Sequence, residues 1–164
     1  MPSSYYSKGM PFLHVRAWTA TGALSLLFLT ACANPNITAD LNTTVVTFPN
    51  GTKITAEVKR QDFDLLRGMM YRESLAPDRG MLFAHPAEDT FRYWMYQTKI
   101  PLDIVWMSRD RRIVEISPDT PPCTAENASA CPNYGGNQKS QYVLEVNAGV
   151  AAKNGLKVGD YLDF

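Results

Sequence analysis

The sequence predicts a mostly-β fold of the α+β kind: a compact, antiparallel, barrel-like domain with two short helices. Three observations lead there. Short runs rich in β-branched and aromatic residues recur along the chain, each bounded by Gly, Pro, Asn or Asp. Two of these runs flank Pro49-Asn50-Gly51, a strong hairpin signal. Helical spacing appears only in two brief stretches.

Taken in order, "TTVVTF" and "TKITAEV" form the hairpin, with Val46, Phe48, Ile54, Ala56 and Val58 at period two on their runs. In "QDFDLLRGMMYRES" the residues Phe63, Leu66 and Met70 have helical spacing, and Gly68 provides a stop. "LAPDRG" is a turn, and "MLFAH" a strand. "FRYWMYQT" and "LDIVWMS" read as two more strands around Ile100-Pro101, and "RDRR" turns into the strand "IVEIS". Residues 123–140 read as one long loop. "YVLEVNAG" returns as a strand, "VAAKNG" makes a helical turn closed by Gly155, and "LKVGDYLDF" ends the chain as a strand. The folded domain is expected over residues 43–164, long enough to bury roughly two-thirds of its unfolded surface.

What precedes residue 43 has another character. The first 31 residues hold Lys8 and Arg16 and no acid, and residues 17–31 carry no charge. The apolar centre, Ala23 to Leu29, is far shorter than the ~20 residues that span a bilayer. A basic start, a short apolar centre and small residues before a cut point describe a secretory signal over residues 1–31. An uncleaved anchor helix would need a longer apolar run. Leu29-Thr30-Ala31-Cys32 resembles the bacterial lipobox, which implies cleavage before Cys32 and acylation of its thiol. Two or more acyl chains give stable anchoring, at about 0.8 kcal/mol per buried CH2. Residues 32–42, polar and containing Pro35, read as a tether. The expected location is the cell envelope: extracytoplasmic and lipid-anchored, on the periplasmic side of the inner or outer membrane.

The other two cysteines, Cys123 and Cys131, form an even pair in an oxidising compartment and are expected to make a disulfide. Closing nine residues gives about 2.6 kcal/mol on the chain-entropy view. The rival, a two-thiolate metal site, would need further ligands, and the mature chain has only His85. No metal or cofactor is expected. The 16 basic and 16 acidic residues balance, so the basic excess that holds a phosphate backbone is missing and no nucleic-acid partner is expected.

Six motifs occur in order along the chain: Gly68-Met69-Met70-Tyr71-Arg72, Gly80-Met81-Leu82-Phe83, Tyr93-Trp94-Met95-Tyr96-Gln97-Thr98, Pro101-Leu102-Asp103, Leu144-Glu145 and Gly159-Asp160. Together they resemble the domain of unknown function 192 family over about residues 43–164. The resemblance implies a fold and no reaction. Where the family has a Lys-Asn pair this chain has Tyr96-Gln97, a departure at a candidate ligand position.

Nucleophilic catalysis needs a base beside the nucleophile, and His85, expected at the surface or in a loop, offers little. No Gly-x-Ser-x-Gly elbow or glycine-rich phosphate loop occurs. Asp103 and Glu145 remain as candidate catalytic carboxylates, with Arg72 beside them; an acid in an apolar strand usually has a cationic or hydrogen-bonded partner, and Arg67 and Arg72 are the candidates. Alternation along "YVLEVNAG" puts Val143, Glu145 and Asn147 on one side, so Glu145 need not be buried. The methionines, soft enough for copper(I), read as core. Alternation also separates Phe91, Tyr93 and Met95 from Trp94 and Tyr96, and Trp94, Tyr96, Gln97 and Thr98 are taken as a ligand-facing patch, joined by Arg67, Arg72 and Asp103. The leading expectation is a non-enzymatic binding or accessory module. The rivals are a hydrolase or lyase working through Asp103 or Glu145, and a structural partner that docks on another envelope protein through the 123–140 loop.

Overall fold

The computed structural model describes residues 42–164. The expected signal segment, the expected lipidation at Cys32 and the expected tether up to residue 41 lie outside the described residues. The fold is mostly β with two short helices. The hairpin forms as its turn chemistry requires: β1 (Thr43–Thr47) and β2 (Lys53–Lys59) pair antiparallel. Between them Gly51 takes φ 85°, and Asn50 Oδ1 accepts a hydrogen bond from the Thr52 N–H.

Residues 60–78 then cross over, carrying α1 (Asp62–Arg67), and the chain enters β3 (Arg79–Asp89) parallel to β2. This pair departs from the antiparallel expectation; a helix-bearing crossover of this length returns the chain to the same end of the sheet. The two-residue β4 (Tyr93–Trp94) follows, then β5 (Leu102–Met107), β6 (Ile113–Thr120), a 3₁₀ turn at Ala128–Ala130, β7 (Asn133–Tyr134), β8 (Ser140–Asn147) and α2 (Val150–Lys153). The main sheet has six strands in the order β1-β2-β3-β8-β5-β6, and β4 pairs with β7 in a separate ribbon.

The sheet is not closed into a barrel. The C-terminal residues approach both of its edges through single bridges, Thr47 to Asp163 and Arg112 to Tyr161, rather than forming the expected terminal strand. The expected "FRYWMYQT" strand shrinks to β4, and the expected long loop contains β7, because Tyr134 pairs with Tyr93. The Cys123–Cys131 disulfide is present.

Both faces of the sheet are covered, so β5 is buried along its whole length. On one face Val46, Phe48, Ile54, Leu82, Val105 and Leu144 form a core. On the other, Met69, Met81, Phe83, Met95, Ile104, Trp106 and Val143 form a second. Met69, Met81, Met95 and Met107 therefore pack as core, as expected, while Met70 is half-buried and belongs to neither core. The helix face predicted for α1 is not the buried one. Phe63 and Leu66 are 71% and 65% exposed, while Leu65 packs on the second core. Six residues make fewer than two turns, too few to bury a full stripe. After Gly68 reverses the chain at φ 44°, Met69 supplies the contact instead.

Candidate functional site

A cavity of about 300 Å³ opens over the second core, between the end of α1 and the β4–β7 ribbon. Its floor comes from the sheet. Met81, Glu145 and Ile104 stand opposite one another on β3, β8 and β5 and share one face. Glu145 is thus buried, against the expectation that it could face solvent, because the second core covers the side on which alternation puts it. Its Oε2 has no hydrogen-bond partner. Burial in this apolar setting raises the Glu145 carboxyl to a pKa of about 8, opposed by the nearby positive charge of Arg72. At neutral pH it is mainly the neutral acid, able to donate as well as accept.

One wall of the cavity carries His85, Phe91 and Tyr93. The His85 ring stacks on Phe91 at 3.5 Å, and its Nε2 lies 3.0 Å from the Tyr93 hydroxyl. Burial lowers the His85 pKa, so the imidazole is neutral near pH 7 and suited to accept a hydrogen bond from that phenol. Burial, aided by Glu145, holds the Tyr93 pKa well above its ordinary value, so the phenol keeps its proton. His85 is half-buried on β3, not the surface or loop residue expected.

The ribbon is fixed from beneath by Trp106. Its indole N–H donates to the Phe91 carbonyl at 2.9 Å, its ring meets Tyr93 edge-on at 5.9 Å, and Gly135 lies directly against it. Above the acid, Gly68 leaves room: a Cβ there would stand 3.1 Å from the Phe83 ring and 3.8 Å from Glu145 Oε2.

Four of the seven predicted ligand-facing residues come together here. Trp94, Tyr96 and Thr98 line the cavity, as does Arg67 at the end of α1. The split between aromatic sets does not hold, since Phe91 and Tyr93 line it too; β4 is too short to impose strand alternation. Gln97 lies apart, with φ 55° and its carbonyl accepting the Tyr71 N–H. Arg72 is held away by a bidentate pair with Glu57, at 2.6 and 2.8 Å, and lines a neighbouring depression that shares Arg67, Gly68 and Met70. That pair lowers the Glu57 pKa to about 2.

Asp103 is not part of this cavity. It lies on the opposite face of the sheet, where Oδ1 accepts the Asp119 N–H at 2.8 Å and Oδ2 the Ala151 N–H at 2.7 Å. It ties α2 and the end of β6 to β5. The polar and aromatic cavity residues Phe83, His85, Phe91, Arg92, Tyr93 and Asn133 were not among the predicted site residues. His85 and Tyr93 meet only through the fold, eight residues apart across a bend. The described residues contain no cluster of three or more His, Cys, Asp or Glu side chains placed to hold a metal ion.

Comparison with other proteins agrees with the fold. No curated protein matches the chain. A protein of unknown function from Novosphingobium aromaticivorans DSM 12444 is 30% identical; the match covers 74% of this chain and 84% of that one, with a TM-score of 0.64. A protein from Sinorhizobium meliloti 1021, described provisionally as a transcription regulator, is 29% identical over 75% of this chain and 95% of its own, with a TM-score of 0.63. Residues 45–164 match DUF192, described as an uncharacterized ACR, and the chain belongs to that family.

Proposed function

We propose that this chain is a lipid-anchored binding module of the bacterial cell envelope, and that the cavity beneath α1 holds a small-molecule ligand. One observation carries the reading: the buried, unpartnered Oε2 of Glu145 in a cavity with aromatic walls. A buried polar atom left without a partner costs roughly 1–3 kcal/mol. A ligand that supplies the missing partner recovers that energy on binding. Aromatic walls with few polar groups are what small-ligand sites commonly have. The lipobox-like Leu29-Thr30-Ala31-Cys32 after an apolar segment supports the tether and the location.

A thermal-shift screen of envelope glycans, short peptides and small metabolites tests the binding reading. A stabilising compound whose effect disappears in Glu145→Gln and Trp94→Ala is expected. No shift from any compound at millimolar concentration, with Trp94→Ala silent in the cell, would overturn it. Mass spectrometry of the N-terminal peptide tests the tether, with a diacyl or triacyl Cys32 as the expected result.

A second reading is favoured by the Glu145 pKa of about 8, which suits a general acid at neutral pH. A hydrolase or lyase of this kind would work through Glu145 without Asp103, since the sheet separates the two. Turnover of a compound found in the screen, lost in Glu145→Gln while its binding persists, would select this reading over simple binding.

A further inference from the structure

Two arginines line the cavity with their guanidiniums unpaired. Among the described residues neither Arg67 nor Arg92 makes a side-chain hydrogen bond or an ion pair, and both are exposed residues on the cavity's rim. Inside the same cavity Glu145 presents a carboxyl oxygen that nothing satisfies. Trp94 and Tyr96, also in the lining, stand 6.1 Å apart with their rings tilted by 57°. The site thus offers positive charge at its edge, aromatic faces along its wall and an acid within.

Resting on the binding reading above, we infer that the ligand is a small amino-carboxylate, its ammonium directed to Glu145 and its carboxylate to Arg67 and Arg92. An ammonium brings N–H donors to the unpartnered oxygen and a charge that the aromatic faces attract. A carboxylate brings acceptors in the planar geometry that guanidinium recognises. A ligand carrying only the amine meets two unpaired cations at the rim. One carrying only the acid leaves Glu145 facing either another acid or an apolar body. A cavity of about 300 Å³ lies at the small end of ligand sites, which fits a single amino acid with an apolar body better than a chain of sugars.

Binding an ammonium also favours the ionised form of Glu145, so a proton leaves on binding. Tyr93, His85, Arg67 and Arg92 are the charged and titratable groups that line the cavity with that acid, and Arg72 acts on it through its field. Burial keeps Tyr93 protonated and His85 neutral, so the released proton comes from Glu145.

Calorimetry of the full-length chain with three probes of equal body decides the matter: phenylalanine, 3-phenylpropanoate and 2-phenylethylamine. Phenylalanine is expected to bind about tenfold or more tightly than either singly charged probe, which is about 1.4 kcal/mol. Its binding heat near pH 7 should vary with the buffer's ionisation enthalpy in the sense of proton release. Glu145→Gln should weaken phenylalanine by about tenfold or more and abolish the proton release, while leaving 3-phenylpropanoate unchanged. Arg67→Ala with Arg92→Ala should weaken phenylalanine and leave 2-phenylethylamine as tight or tighter. Should Glu145→Gln melt early, Glu145→Asp takes its place, with reduced affinity and retained proton release expected. Equal binding of phenylalanine and 3-phenylpropanoate, or binding without proton release, overturns the inference. So does failure of all three probes; if a neutral sugar from the screen then binds in the cavity, the binding reading survives without it, and if nothing binds, both fall.

Discussion

Asp103 and Glu145 sit on hydrogen-bonded neighbouring strands yet belong to opposite faces of the sheet, because Asp103 pairs with Val146 and Glu145 with Ile104. A shift of one residue in register separates the two acids that the sequence singles out. Their environments differ accordingly. Asp103 has both oxygens engaged by backbone amides, while Glu145 has one oxygen with no partner. Asp103→Ala should therefore act on stability. It leaves two backbone N–H groups at Asp119 and Ala151 without their acceptor, at a cost of about 2–5 kcal/mol. Asp103→Asn keeps one acceptor and should lose less. Denaturant titration measures the loss, and the folded fraction of either variant should bind cavity ligands as the parent does. Full stability with lost binding would place Asp103 in the site after all.

Glu145 makes stability fall as pH rises. Its folded pKa of about 8 lies above the ordinary value of 4.5, so between those values the unfolded chain has already released a proton that the folded chain retains. Its favourable contribution is complete below pH 4.5 and gone once the pH passes about 8. His85 works the other way below its ordinary value of 6.5, because burial lowers its pKa and acid then favours the unfolded chain. Glu57, lowered to about 2 by Arg72, loses its contribution only as pH falls from 4.5 through that value. The Glu145 effect is therefore cleanest from pH 6.5 to 8, where it is expected to approach a slope of about 1.4 kcal/mol per pH unit. Urea midpoints across that window should fall for the parent and stay level for Glu145→Gln. Parallel curves would mean that the acid ionises freely in the folded state.

Gly135 should not tolerate a side chain. It has φ 64°, and a Cβ would come within 2.2 Å of the Trp106 ring. Neither strain relaxes easily, since Trp106 is fully buried and bonded to the Phe91 carbonyl. Gly135→Ala is expected to cost about 3 kcal/mol through overpacking and backbone strain. It should also displace the β4–β7 ribbon, and with it Tyr93 and Trp94 in the cavity wall. Near-UV circular dichroism and denaturant unfolding check both effects. Gly51→Ala, with nothing within 4 Å of the added carbon, is the control for φ alone.

The parts of the fold that were legible in the sequence are those set by local chemistry. Asn50-Gly51 fixes the first hairpin, Gly68 ends α1 with a positive φ, and Gly155 ends α2 in the same way. The alternation in "YVLEVN" gave the right sides for Val143 and Glu145 but not their burial. Whether a strand face meets water depends on what covers it, and here the cover comes from Met69, the ribbon and the segment after α1. The cavity was half legible for the same reason. Trp94, Tyr96 and Thr98 stand close in sequence, whereas His85 and Tyr93 meet only because β3 shifts register between Ala84 and Asp89, around Pro86, which has no N–H to give the ladder. Arg72, a candidate partner for the strand acids, makes its ion pair with Glu57 on the hairpin and reaches Glu145 only through its field.

The disulfide should matter to the cavity as well as to stability. Cys123 forms a bridge with Tyr96 and donates its N–H to the Met95 carbonyl at 3.1 Å, and the Tyr96 hydroxyl donates to the Glu126 carbonyl inside the disulfide loop at 3.3 Å. The loop closed by Cys123 and Cys131 therefore holds Tyr96 in the cavity wall. Cys123→Ser with Cys131→Ser frees that loop in the unfolded chain, and a loss of about 2–3 kcal/mol is expected. The same variant should bind cavity ligands more weakly even when fully folded, because Tyr96 is then less well held. Thermal unfolding measures the first effect, and calorimetry well below the melting temperature measures the second. Unchanged affinity in a destabilised variant would show that Tyr96 is positioned by Met95 and Thr98 without help from the loop.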